Sequence, residues 1–597
     1  MNLAAIQHIA FDNFCYPLDK DSLEINIITG KDVKNVFIVF GDPFAGGILG
    51  GDWSWNGKEE QITQKKELQE QFRWTITIKP EFKRLSYYFR LTDETDEVFF
   101  SYDGFFTKQQ FENGGNKHGL FIFPWMNESD INKTPKWAED TIWYQIFPSR
   151  FCRGKNKVTP KDILPWPESY TEEVTYEKYK GKEPVFGGNI QGITDKLDYL
   201  KNLGITGIYT TPINQSSSQH KYNTDDYTKI DEEFGTSETV KNYVKEAHKR
   251  GIKIMFDGVF NHSGWLFDKW QDVWKNKEKS VYKDWFMVND FNFVEPSYGY
   301  KKGNAGNGKF YSFAFVDYMP KLNTNNIECR KYLIDICTSW VKNYDIDAIR
   351  LDVANEVSHT FCKELKKELC KLKPDFYIIG EIWHNSLPWL RGDEYDSVMN
   401  YPLQNGIADF CTSDNWNVKQ FEYAINRCFS MYYRQTNRVL FNQMDSHDTI
   451  RILNRCNNDK TKARETLVLL FAMPGSVCIY YGTEILLPGS FDPDNRRCMP
   501  WKQIEENLFN DEIDFTKRLI SLRKEHKAMK STLYDFIYSE DDKIGEDRIV
   551  HIVKTAEDNS EKIGIIVDCG NTKKNIQNLI KGKEILLESE KIIIYKV

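Results

Sequence analysis

The stretch Ile346-Asp347-Ala348-Ile349-Arg350-Leu351-Asp352-Val353-Ala354-Asn355-Glu356 decides the fold. Ile346–Leu351 is a short apolar run with the length of a buried strand, and the residues after it are polar and acidic. A helical pattern, Ile327–Tyr344, precedes it. Runs of the same kind recur along the chain at Ile142–Phe147, Gly204–Thr210, Ile252–Phe256, Phe376–Gly380, Ser397–Asn400, Val439–Asn442 and Val477–Tyr481. Helical stretches lie between several of them, among them Ser237–Lys249, with Ser237 in the N-cap position. Strands alternating with helices imply parallel pairing. Eight such units predict an α/β fold, a (β/α)8 TIM barrel over residues 136–505. Between the third and fourth strands, residues 263–318 are too many for a simple loop and carry Trp265, Trp270, Trp274 and Trp285. They predict a small inserted subdomain beside the barrel mouth.

The flanks have a different rhythm. Residues 1–128 alternate like half-buried strands at Leu23–Ile27, Val36–Phe40, Trp74–Ile78, Ser86–Leu91 and Val98–Tyr102. Turn residues such as Gly41-Asp42-Pro43 and Gly50-Gly51-Asp52 punctuate them, which predicts an N-terminal β-sandwich. Residues 515–597 open with a helical stretch, Phe515–Ala528, and return to alternation at Ile549–Val553, Ile563–Val567 and Ile592–Tyr595. They predict a C-terminal β-domain of the same general kind. At 597 residues the chain has ample material for three domains.

Composition excludes several classes. A net charge of −8 argues against non-specific binding to nucleic acid or to an anionic membrane. The longest apolar run, around Leu467–Met473, is far short of a membrane span, and the N-terminus lacks a basic region followed by an apolar block, so neither anchor nor leader is expected. The 12 cysteines include no Cys-x-x-Cys pair, which fits reduced, buried thiols in a cytoplasmic protein.

In a (β/α)8 barrel, reactive side chains gather where strands end in loops. The third strand runs into Asp257-Gly258-Val259-Phe260-Asn261-His262, the fourth into Arg350–Glu356, the fifth into Glu381-Ile382-Trp383-His384 and the seventh into Asp445-Ser446-His447-Asp448-Thr449. A single Asp at such a position ordinarily caps the next helix. Three converging acids, Asp352, Glu381 and Asp448, are costly to bury together unless each has a partner or a task. Arg350 and Asp352, two apart on a strand, share a face, and the guanidinium is expected to hold Asp352 ionised. Paired carboxylates suit glycoside hydrolysis, one as nucleophile or base and the other as proton donor. No nucleophile elbow, phosphate-binding Gly loop or dinucleotide fingerprint competes, and the 10 histidines form no metal-ligand spacing.

These segments, with Gly207-Ile208-Tyr209-Thr210-Thr211-Pro212 and Met319-Pro320-Lys321-Leu322-Asn323, resemble the signature regions of the α-amylase superfamily. Val353-Ala354-Asn355-Glu356 and the Met-Pro-Lys-Leu-Asn run are similar to the neopullulanase, cyclomaltodextrinase and maltogenic amylase branch. The resemblance implies a retaining hydrolase of α-1,4, and in pullulan α-1,6, glucosidic bonds, with transglycosylation as a side activity. Asp352 matches the nucleophile, Glu381 the acid/base and Asp448 the third acid. His262, Arg350 and His447 match contacts to the sugar at the cleavage site, Tyr222 a stacking platform, Trp383 the acceptor side, and Asp492 with Arg496 the hold on the next sugar. The resemblance also implies a homodimer formed through the N-terminal, starch-binding-like domain. A transferase or isomerase on the same scaffold, or a glycan-binding protein without chemistry, are the alternative readings.

The sequence also departs from the branch. Tyr222 is followed by Asn223 where the branch usually has Asp, and Gln443-Met444-Asp445 replaces an apolar-and-Gly stretch. Family members often bind calcium after the first strand, using Asn-rich ligands and an Asp after two glycines. Here that region reads Phe151-Cys152-Arg153-Gly154-Lys155-Asn156, and Gly187-Gly188 precedes Asn189. Calcium needs six to eight oxygens with carboxylate charge, so no cofactor and no metal are expected.

Overall fold

The computed structural model describes residues 1–45, 55, 57–114, 119–296, 303–413, 415–538, 548–570, 576–580 and 582–597. The Gly50-Gly51-Asp52 turn lies outside the described residues. The chain divides into two compact units, Met1–Lys133 with Trp416–Asn437, and Thr134–Asn415 with Arg438–Val597.

In the first unit, one antiparallel sheet runs in the order Cys15–Pro17, Leu23–Gly30, Gln71–Ile78, Gln64–Leu68. The other runs Lys58–Ile62, Asn35–Gly41, Leu85–Thr92, Glu97–Ser101, Gly104–Phe106. Ile25, Ile27, Val36, Ile38, Trp74, Tyr87 and Phe89 fill the core. The sequence reading missed the short strands Cys15–Pro17 and Gly104–Phe106, and also Lys58–Ile62 and Gln64–Leu68, which are polar edge strands with few buried side chains. The helix Val418–Ser430 belongs to this unit. Asn417 and Gln420 form a capping box at its start, and Lys419 pairs with Glu67 at 2.7 Å.

The second unit contains eight parallel strands: β1 (Ile142–Ile146), β2 (Gly207–Thr210), β3 (Lys253–Gly258), β4 (Ala348–Leu351), β5 (Tyr377–Gly380), β6 (Ser397–Val398), β7 (Phe441–Gln443) and β8 (Ser476–Tyr480). Each pairs with its neighbour in the order β6-β5-β4-β3-β2-β1-β8-β7, and a parallel bridge between Met399 and Phe441 closes the ring. The barrel is packed with side chains, including Trp143, Tyr209, Met255, Tyr377, Met399 and Phe441. The helix Ser237–Lys249 has the expected bounds, but its N-cap is Thr236, in a reciprocal bond pair with Thr239. Gly204, expected to begin a strand, instead ends the helix Leu197–Leu203 with φ 101°, a conformation that favours glycine.

The segment after β3 folds as a small aromatic cluster. The helix Asp268–Asn276 buries Trp270, which stacks on Phe293 and packs against Phe286 and Phe310. Bridges of His262 to Lys321 and Phe286 to Leu322 fasten it back to the Met319–Asn323 run. At the C-terminus, five antiparallel strands form one sheet among the described residues, in the order Leu533–Phe536, Ile549–Thr555, Lys562–Asp568, Ile592–Lys596, Ile585–Ser589. The cysteines are free thiols, all buried except the partly exposed Cys370. No helix among the described residues is long and apolar enough to cross a membrane.

Candidate active site

The C-terminal ends of β3, β4, β5 and β7 bring their polar side chains to one place. Register does the first part of the work, since Asp257 pairs with Arg350 across β3 and β4. Arg350 is fully buried and holds three carboxylates. Its Nη1 lies 2.9 Å from Asp257 and from Asp352, and its Nη2 lies 2.7 Å from Glu381. Immediately after Asp352 the backbone turns sharply. Val353 has φ 46°, a costly conformation for a β-branched residue. The turn lets the Val353 N–H donate to Glu381 Oε2 at 3.0 Å. The other oxygen of Glu381 accepts from the Trp383 indole N–H at 3.1 Å. Trp383 is half-exposed and lies flat on Tyr401, with ring centroids 3.5 Å apart.

A second chain of bonds crosses the mouth. Gln145 on β1 donates to His447 Nδ1 at 2.7 Å, which leaves the proton on Nε2. His447 Nε2 lies 2.6 Å from the Tyr222 hydroxyl and 3.1 Å from Asp448. Tyr222 stacks on His447 with the rings nearly parallel, and its hydroxyl donates to Asp257 at 3.0 Å. Arg496 lies 3.6 Å from Asp448 and 2.8 Å from Asp492, and its Nε donates to the His447 carbonyl. His262 is buried beneath the ring of Phe313, and its Nε2 has no hydrogen-bond partner.

Nine of the ten residues singled out from the sequence are thus joined by contacts at the barrel end, and the tenth, His262, lies after β3 against Phe313. The sequence reading missed Asp257, Gln145 and Tyr401 as members of this set. Asp257 stood in a quoted segment, but its bond to Arg350 depends on strand register.

The electrostatics are set by burial. Burial pushes the carboxyls of Asp352, Asp257 and Asp448 upward, and Arg350 opposes each shift. For Asp352 the outcome differs from the sequence expectation. Burial and the neighbouring carboxylates outweigh the guanidinium, and the shift is upward. Burial also lowers His262 to about 3 and drives His447 well below its ordinary value, so both imidazoles are neutral. Five carboxylates face two guanidiniums here, an arrangement that favours keeping a proton in the cluster.

The departures have plain structural roles. Asn223 accepts from Ser216 Oγ and donates to Ser217 Oγ, each at 2.8 Å, so its amide is used in holding its own loop. Asp445 accepts from Thr483 Oγ1 at 2.8 Å and from the Ile452 N–H at 3.0 Å, tying the turn that bears Asp448 to the segment after β8. The loop after β1 is held by its own donors. Arg153 donates to the carbonyls of Phe186 (2.7 Å) and Leu164 (2.9 Å). Asn189 exchanges bonds with the backbone of Gly154 and caps the helix Ile190–Asp195. The Asn156 amide donates to the carbonyls of Glu232 and Glu233. The carbonyls of Phe186, Leu164, Gly154, Glu232 and Glu233 thus accept from protein donors, one of them a cation.

Comparison with known proteins agrees with this geometry. The family described as "Alpha amylase, catalytic domain" matches residues 145–536, and "Alpha amylase, N-terminal ig-like domain" matches residues 1–127. An intracellular maltogenic amylase of Bacillus subtilis is 41% identical over 532 residues, covering 89% of this chain and 85% of its own. A cyclomaltodextrinase of Geobacillus thermopakistaniensis is 37% identical, covering 100% and 97%. A solved structure titled cyclomaltodextrinase superposes with a TM-score of 0.86 at 31% identity, covering 100% of this chain and 98% of that one. With its eight-stranded barrel, Ig-like N-terminal domain and C-terminal sheet, the chain belongs to the alpha-amylase family of glycoside hydrolases.

Proposed function

We propose that this enzyme cleaves α-1,4 bonds, and α-1,6 bonds in pullulan, of short or cyclic α-glucans with retention of configuration. One observation carries the reading: the carboxylates of Asp352 and Glu381 lie 2.9 Å and 2.7 Å from the two terminal nitrogens of the single Arg350 guanidinium. Two carboxylates gathered at one guanidinium can flank a single sugar, as nucleophile and acid/base of a retaining glycosidase must. Glu381, in its protonated form, gives its proton to the glycosidic oxygen. Asp352 attacks the anomeric carbon as that bond breaks, forming a glycosyl ester. Glu381, now ionised, takes a proton from water, which attacks the anomeric carbon and releases Asp352. A sugar hydroxyl arriving instead of water gives transglycosylation. Asp448, with neutral His447 and His262, binds the hydroxyls of the distorted sugar. Tyr222 stacks on that sugar. Glu381 faces the leaving group, so Trp383 lines the acceptor side, while Asp492 and Arg496 hold the next sugar on the donor side.

The names of the relatives support the substrate class. We further propose that the enzyme works in the cytoplasm as a homodimer, with the N-terminal domain narrowing a neighbour's cleft. It works without calcium in the loop after β1, where Arg153 supplies the positive charge. Initial rates on β-cyclodextrin, pullulan and maltotriose, with products resolved by size and anomer, test the activity. New reducing ends with the α-configuration are expected, and β-anomers or unchanged reducing power would refute it.

A further inference from the structure

Residues 152–189, between β1 and the helix Ile190–Asp195, contain no strand, yet they are firmly built. The Leu164 N–H donates to the Val185 carbonyl at 2.8 Å and closes the neck of the loop. Inside it, Val174, Phe186 and Cys498 form a buried cluster against Leu164, Trp166 and Tyr179. Two bonds then fasten the loop to the site already described. The Val174 N–H donates to Asp494 at 2.9 Å, two residues from Asp492. Glu183 accepts from the Gln219 N–H at 2.8 Å, three residues from Tyr222.

At the far end of the loop the chain reverses. The Gly181 N–H donates to the Tyr176 carbonyl at 2.7 Å, and Gly181 has φ 77°. This turn presents Tyr176, which is 42% exposed. Val174, two residues before Tyr176, is bonded to Asp494, two residues after Asp492, so this part of the loop is tied to the segment that carries the Asp492–Arg496 pair. Phe491, next to Asp492 in the chain, is 72% exposed. A glucosyl ring has polar edges and apolar faces. A carboxylate–guanidinium pair suits the edges and a half-exposed aromatic ring suits a face. The core of the barrel needs neither Tyr176 nor its exposure.

We propose that Tyr176 is a donor-side specificity residue, its ring packing against the glucosyl unit second from the bond that is cut. This rests on the proposed function, which puts the donor side at Asp492 and Arg496. The loop after β1 thereby selects for substrates that offer two linked glucosyl units ahead of the scissile bond.

The test compares kcat/KM on 4-nitrophenyl α-maltoside, which fills that position, with kcat/KM on 4-nitrophenyl α-glucoside, which does not. The maltoside-to-glucoside ratio should fall on the order of tenfold in Tyr176→Ala. It should fall similarly in Tyr176→Leu, which keeps bulk without an aromatic face, and stay within about threefold in Tyr176→Phe and Tyr176→Trp. An unchanged ratio in the Ala and Leu variants would overturn the proposal. So would a ratio that falls equally in all four, because a face contact survives in Phe and Trp. A wild-type enzyme inactive on both substrates would instead refute the proposed function.

Discussion

Replacing Glu465 by Gln should stabilise the protein above neutral pH and leave it nearly unchanged near pH 4.5. Glu465 lies in the helix Lys460–Ala472, is only 1% exposed, and neither carboxylate oxygen has a hydrogen-bond partner. The ammonium of Lys591, at 3.9 Å, already donates to the Gly570 carbonyl. Burial pushes the Glu465 carboxyl up to about 7, from an ordinary 4.5. The folded state therefore holds this proton between pH 4.5 and 7 while the unfolded state does not. Stability is fully present below pH 4.5 and falls as pH rises through 7. The shift corresponds to about 3 kcal/mol. Gln is neutral throughout, so Glu465→Gln removes the loss. For a unit of about 440 residues, 3 kcal/mol is a Tm difference of about 3 °C. Calorimetric scans of both proteins at one scan rate, at pH 4.5 and pH 8.5, read it directly. Equal Tm differences at the two pH values, or a destabilised variant at pH 8.5, would refute the reasoning.

The site itself sets two further outcomes. The nucleophile must be ionised, so activity rises with pH through the Asp352 pKa. Because that carboxyl is shifted upward, the acidic limb of kcat/KM should lie above the ~3.9 of an ordinary Asp. A pH profile with full activity at pH 4 would contradict this. Adding calcium or EDTA to dialysed enzyme should leave Tm and activity unchanged, since Arg153 occupies the carbonyls of Phe186 and Leu164. A calcium-dependent rise in Tm that survives Arg153→Ala but not Asn189→Ala would contradict it.

The barrel was legible because its strands are buried on both faces and read as short apolar runs. Their ends were less so. Val439, expected in a strand, closes the helix Arg434–Val439, and β7 begins only at Phe441. Strand-end acids and Arg350 were readable because loops after barrel strands share one face. The hidden features depend on long-range register or packing. Asp257 meets Arg350 only across paired strands, and Gln145 meets His447 only once β1 and β7 flank β8. Helix Val418–Ser430 sits between barrel strands in sequence yet packs with Glu67. Glu465 looks like an ordinary helix surface residue in sequence, and only the folded chain buries it without a hydrogen-bond partner.

Trapping the intermediate tests the central claim most directly. Enzyme treated with 5-fluoro-α-D-glucosyl fluoride, digested and analysed by mass spectrometry should carry one hexosyl ester, on Asp352, and Glu381→Gln should abolish turnover of maltotriose. A label on any other carboxylate, or full activity in Glu381→Gln, would contradict the account.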